Sequence, residues 1–225
     1  MDQFKKIAAE AAVTQVRDGM IVGLGTGSTA AYAVDALGKL VQKGLRITGI
    51  PTSEQTARQA HALGIPLTTL GDQTQVDLTI DGADEVERGS LNLIKGRGGA
   101  LLREKIVASA STRLVIIVDE TKLVERLGSL SAVPVEVVPF GWQLAAQKLR
   151  AAGAAVSVRR GTEDRLFLTD GGHYILDCTF GPIAAPASLD RELNGIVGVV
   201  EHGLFLGMTS EVIVGGRDGV KALLP

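Results

Sequence analysis

Apolar positions in this chain fall into short runs of two kinds, and their alternation predicts the architecture. Residues 2–17 carry Phe4, Ile7, Ala8, Ala11 and Ala12 along one side with charges between them, the period of an amphipathic helix, and Asp18-Gly19 stops it. The run MIVGL at 20–24 is too short for a helix and reads as a strand that enters GTGST at 25–29. An alanine-rich helix over 30–42 follows, broken by Gly44. Residues 47–50 form a second strand, and Thr52-Ser53 caps a helix that stops at Gly64. Further strands are predicted over 66–70, 76–80 and 113–118. Between the last two, the apolar run beginning at Leu91 passes through glycines and turns helical, with Leu101, Leu102, Ile106 and Val107 at helix spacing. Strands alternating with helices predict an α/β fold, a doubly wound, mainly parallel sheet with helices on both faces and a site at the carboxyl ends of its strands.

After Gly128 the pattern changes. Residues 132–140, AVPVEVVPF, are extended, and their two prolines argue for an edge strand or a linker. A helix over 142–151 comes next, then a strand over 155–159 and a hairpin of 165–168 with 173–177 around Asp170-Gly171-Gly172. A short helix capped by Ser188 ends at Asn194-Gly195, and 197–206 is the following strand. The order βαββαβ predicts a second, smaller ferredoxin-like α+β domain. The strand at 211–214 and the tail DGVKALLP return to the first domain, so the expected division is 1–128 with 207–225, and 129–206.

Composition narrows the function classes. Of 225 residues, 45% are apolar and 28 are glycine, which describes a well-buried globular protein with many tight turns or backbone–ligand contacts. The net charge of −2, with no long basic block, argues against nucleic acid. No apolar run reaches membrane-spanning length, and the charged amino terminus reads as a helix rather than a signal peptide, so no membrane partner and a cytoplasmic location are expected. The single cysteine, Cys178, excludes an internal disulfide and reads as core; no Cys/His cluster offers a zinc site. His61, His173 and His202 stand in unrelated contexts and read as structural or exposed.

Three stretches carry candidate chemistry. In LNLIKGRGGALLREK at 91–105, Lys95 enters a glycine turn and Glu104 lies on the first turns of the helix after it. A carboxylate facing a cation across a turn with free N–H groups suits proton abstraction beside a carbonyl; a packing turn with a surface Glu is the plainer reading. GTGST offers amides and the hydroxyls of Thr26, Ser28 and Thr29 to a phosphate monoester. It lacks both the P-loop ending and the dinucleotide fingerprint. Asp81-Gly82-Ala83-Asp84-Glu85 places carboxylates at the mouth of the sheet, where helix capping is the competing role and magnesium the weaker one. Lys122, after Asp119-Glu120-Thr121, adds positive charge to the same mouth.

GTGST, DGADE, KGRGGALLREK and DETK, in this order and over nearly the whole chain, resemble ribose-5-phosphate isomerase of type A. The resemblance implies interconversion of D-ribose 5-phosphate and D-ribulose 5-phosphate through an enediolate, with no metal and no cofactor, in the non-oxidative pentose phosphate pathway. It implies Glu104 as catalytic base, with Asp81, Asp84 and Lys95 assisting. Substrate contacts carry over to Thr26, Gly27, Ser28 and Thr29; to Asp81, Gly82, Ala83 and Asp84; to Lys95, Gly96, Arg97 and Gly98; and to Lys122. Arg97 departs from the all-glycine form of its loop. The family also implies homodimers or homotetramers. An amino-sugar-phosphate isomerase/deaminase, or a sugar-phosphate sensor without turnover, are the alternatives that the residues leave open.

Overall fold

The computed structural model describes residues 1–225 and begins with helix α1 (Asp2–Val13). Strand β1 (Ile21–Leu24) leads into α2 (Ser28–Gln42), β2 (Thr48–Pro51) into α3 (Glu54–Ala62), and β3 (Leu78–Gly82) into the short strands β4 (Glu85–Glu87) and β5 (Leu93–Ile94). Helix α4 (Leu101–Ser109) precedes β6 (Leu114–Asp119), a 3-10 turn at Glu120–Lys122, and β7 (Leu123–Val124). The second unit runs β8 (Val133–Val137), α5 (Trp142–Ala151), β9 (Ala155–Val158), β10 (Tyr174–Thr179), α6 (Pro186–Asn194) and β11 (Val199–His202). The chain closes with β12 (Leu204–Phe205), β13 (Glu211–Gly216) and β14 (Gly219–Leu223).

The main sheet has the order β14-β13-β6-β3-β1-β2 and is parallel except for the edge hairpin of β13 with β14. Side-chain alternation along β6 explains how both of its faces are buried. Val115 and Ile117 join the core under α1 and α2 with Ala8, Ala12, Val34 and Leu37, whereas Leu114, Ile116 and Val118 pack against Ala108 of α4 and against Val86, Leu93 and Phe205. The last three belong to a small sheet of order β12-β5-β4-β7 that covers the second face. The antiparallel sheet of order β11-β8-β10-β9, with α5 and α6, is the expected βαββαβ unit. Its core takes in Ile94, Val124 and Leu127, which lie before residue 129.

Several expectations need correction. Helix α1 ends at Val13 rather than 17, because the amides of Thr14, Gln15 and Val16 bond three residues back and the Thr14 hydroxyl bonds Ala11 O at 2.6 Å. Residues 66–70 form no strand; Leu67 makes one bridge to Gly49, and the turn at Thr69 ends it. Strand β8 is interior, not an edge: β11 pairs with it only from Val135 onward, so the missing N–H of Pro134 is not required, and Pro139 lies beyond the strand. The hairpin partner of β10 is β9, while 165–168 contributes only an isolated bridge between Arg160 and Leu166. Ser188 lies inside α6, which starts with Pro186 at its first turn. The single strand predicted over 197–206 is split at Gly203 between two sheets. There the backbone passes so close to Lys95 that a Cβ at Gly203 would collide with the Lys95 carbonyl, and the Lys95 amide donates to Gly203 O at 2.9 Å. Ile106 is exposed, because the buried stripe of α4 is Leu101, Glu104, Val107 and Ala108.

Candidate active site

The carboxyl ends of β1, β3 and β6 lie side by side, and the connections from β1 and β3 leave toward opposite sides of the sheet. This edge therefore collects the 25–29 turn, the end of β3 at Asp81-Gly82 and the end of β6 at Asp119. From the opposite face, β5 delivers Lys95 and α4 delivers Glu104.

Lys95 is the centre of the arrangement. Its side chain is 3% exposed, and Nζ donates to Gly82 O at 2.6 Å while lying 3.0 Å from Asp81 Oδ2 and 3.4 Å from Glu104 Oε1. Asp81 Oδ1 accepts from the amides of Thr26 at 3.1 Å and Gly82 at 2.7 Å. A Cβ at Gly25 would collide with that carboxylate, which accounts for glycine at the close approach of β1 to β3.

One buried cation thus faces two buried carboxyl groups, and the electrostatics follow. Burial raises Glu104 from an ordinary 4.5 to about 8, with Lys95 opposing and Asp81 and Asp84 reinforcing the rise. Asp81 is also raised by burial, against Lys95 and its two amide donors. Burial acts against the Lys95 ammonium, but Asp81 and Glu104 outweigh it and hold its pKa above the usual lysine range. The two acids differ in their partners: Asp81 has three donors, whereas Glu104 has only Lys95 and its buried Oε2 has no partner.

These groups open on a cavity of about 370 Å³. Gly27, Ser28, Thr29, Gly82, Ala83, Asp84, Lys95, Gly96, Arg97, Gly98, Glu104 and Lys122 line it, as does Thr26. Asp81 does not; it is 1% exposed and stands behind Lys95. In the ligand-free protein Asp81 therefore meets the cavity only through its ion pair with Lys95. The Thr26 hydroxyl also differs from expectation. It is turned into a cluster with Thr52, Ser53 and Thr56 at 2.7, 2.8 and 3.1 Å, and the Thr26 amide is held by Asp81, so Ser28 and Thr29 remain the hydroxyl donors of this turn. Arg97 is exposed; its amide donates to Asp84 Oδ2 at 2.9 Å. None of the three histidines lines the cavity, and no group of three or more His, Cys, Asp or Glu side chains has metal-holding geometry.

Residues 48–219 match the family described as ribose 5-phosphate isomerase A (phosphoriboisomerase A). The chain belongs to that family. It is similar to ribose-5-phosphate isomerase A of Gloeobacter violaceus, 63% identical over 225 residues that cover 100% of this chain and 97% of that protein. Among solved structures it is similar to ribose 5-phosphate isomerase of Plasmodium falciparum, with a TM-score of 0.96 and 42% identity over 100% of this chain and 99% of that one. Ribose 5-phosphate isomerase A of Methanocaldococcus jannaschii gives a TM-score of 0.95 and 42% identity over 99% of each chain. These likenesses support the α/β sheet with a smaller antiparallel unit as the architecture shared with ribose-5-phosphate isomerases A.

Three cavity residues escaped the sequence reading, Met1, Lys5 and Asp119. Lys5 of α1 reaches Ser28 Oγ at 3.2 Å, and Asp119 presents a buried Oδ2 with no partner while its Oδ1 accepts from the Thr121 amide at 3.0 Å. A lysine on the first turns of an amphipathic helix looks like any solvated charge, so nothing local marks Lys5. Asp119 closes an unbroken apolar strand, LVIIVD, a position at which a carboxylate is a recognisable mouth residue.

Proposed function

We propose that this chain is a ribose-5-phosphate isomerase that interconverts D-ribose 5-phosphate and D-ribulose 5-phosphate through an enediolate, without a metal or cofactor. The supporting observation is the buried Lys95 between Asp81 and Glu104, facing a cavity whose other walls carry the Lys5 and Lys122 ammonium groups and the Ser28 and Thr29 hydroxyls.

In this reading the phosphate sits against Ser28, Thr29, Lys5 and Lys122, and its binding energy positions the reacting carbons at the other end. Ring opening uses Asp81 through Lys95 Nζ, while Asp84 orients hydroxyls. The Glu104 carboxylate then takes the C2 proton of the open aldose. Charge that develops on O1 meets the Lys95 ammonium and the Gly98 amide, which has no acceptor within the chain. The proton returns from Glu104 to C1 and the O2 proton passes to O1, leaving the ketose. A carboxyl near pKa 8 suits this task, since a base of that strength is both a usable acceptor and partly ionised near neutral pH. We retain the division into 1–128 with 207–225 and 129–206, and with it a cytoplasmic homodimer or homotetramer in the pentose phosphate pathway. No helix is long and apolar enough to cross a membrane.

The test is turnover of ribose 5-phosphate against pH in the presence of a chelator. Only the ionised Glu104 accepts a proton, so kcat/KM should rise about tenfold per pH unit below its pKa and level off near about 8. A profile that stays flat or falls over the same range contradicts the base assignment. Activity restored only by added divalent metal contradicts the metal-free reaction.

A further inference from the structure

The second unit reaches the cavity loop through the side chain of Arg159, the residue that follows β9, and through Phe167. Its guanidinium is held by Asp177 of β10, Nε donating to Oδ2 at 3.0 Å and Nη2 donating to Oδ1. Nη1 is directed the other way and donates to two consecutive carbonyls of the glycine loop, Gly96 O at 3.0 Å and Arg97 O at 2.9 Å. The Phe167 ring lies 5.9 Å from the guanidinium carbon and fills the space that a Cβ on Gly99 would occupy. Arg159 itself is fixed by its amide on Ile175 O at 2.8 Å and by its carbonyl, which accepts from Phe167 N at 3.0 Å.

A trans peptide places its carbonyl and the following N–H on opposite sides of one plane, so holding one fixes the direction of the other. With Gly96 O held by Arg159, the Arg97 amide points away from it and meets Asp84 Oδ2 at 2.9 Å. With Arg97 O held as well, the Gly98 amide also points away from Arg159, and Gly98 lines the cavity. Glycines at 96, 98 and 99 give this loop no side chains with which to resist a peptide flip.

We propose that Arg159 is a positioning residue for isomerisation: by holding the Gly96 and Arg97 carbonyls it aims the Gly98 amide at the developing oxyanion and keeps Asp84 in register. The second unit of the fold is then part of the catalytic apparatus although none of its side chains touches the reacting atoms. The proposal rests on the isomerase reading and deepens it.

The experiment compares wild type, Arg159→Ala and Arg159→Lys for kcat, KM and thermal unfolding, with and without millimolar guanidinium. Loss of an aimed oxyanion donor is expected to lower kcat of Arg159→Ala by about 100-fold, with KM changed less than about threefold. Arg159→Lys keeps the charge but does not bridge two carbonyls and Asp177 together, so its kcat should fall while its unfolding midpoint stays near wild type. Guanidinium should restore part of the Arg159→Ala turnover. Undiminished kcat in both folded variants overturns the clamp, as does a loss confined to KM, or one that tracks the unfolded fraction and ignores guanidinium. A wild-type chain that does not turn over ribose 5-phosphate sinks the isomerase reading instead, and the clamp with it.

Discussion

Glu104→Gln should give a folded protein that still binds ribose 5-phosphate and turns it over about 10² to 10⁴ times more slowly, the usual contribution of a positioned base. Glutamine keeps the shape of the side chain and leaves an amide oxygen for Lys95, now 3.4 Å from Glu104 Oε1, but it cannot accept a proton from carbon. The effect on stability has the opposite sign. Burial raises the Glu104 pKa from 4.5 to about 8, so between those values the unfolded chain releases a proton that the folded chain retains. Stability from this group is therefore full below about pH 4.5 and is lost as pH rises through about 8. Removing the acid removes that loss, and thermal unfolding at pH 8 should be unchanged or raised in Glu104→Gln. A variant that unfolds at markedly lower temperature, or that retains near-normal turnover, contradicts the assignment.

Lys95→Met should be the most damaging single change in the site, in both stability and turnover. Methionine fills the volume but leaves Asp81, 1% exposed, and Glu104, 4% exposed, without their shared cation. Leaving such charges unpaired typically costs about 3–5 kcal/mol, a large part of a stability of about 5–15 kcal/mol. Both carboxyl groups already have raised pKa values, and without Lys95 they rise further, so each favours the folded state only while protonated. The deficit relative to wild type should accordingly shrink as pH falls toward about 5, when measured by urea unfolding. Adding Asp81→Asn should recover stability without recovering turnover, because the electrophile at O1 is still missing. A Lys95→Met protein as stable as wild type at pH 8, or one that retains turnover, counts against the buried triad as the catalytic centre.

Much of this is legible in the amino-acid sequence. Alternation of short apolar runs with helical stripes identified the parallel sheet, and the order βαββαβ identified the smaller unit, because both depend on local periodicity. Glu104 had a further signal: it occupies a position on the buried stripe of α4, between Leu101 and Val107, that packing alone would assign to an apolar side chain. The misreadings have a common cause in tertiary contact. Pro134 looked like an edge marker because sequence does not show that β11 begins pairing one residue later. The break at Gly203 is imposed by the Lys95 carbonyl, which lies more than a hundred residues away in sequence. The Thr26 hydroxyl turns toward Thr52, Ser53 and Thr56, neighbours that its own motif does not reveal. Lys5 and Arg159 come from distant elements and carry no motif of their own.

The central claim is that Glu104 carries a proton between C2 and C1 of one bound pentose phosphate. Incubation with ribose 5-phosphate in deuterated water containing a chelator, followed by NMR, tests it most directly. The expected result is ketopentose with solvent deuterium at C1, formed by wild type and lost in Glu104→Gln. Ketopentose that forms with no deuterium in either sugar, at a rate indifferent to the Glu104→Gln substitution, would contradict it.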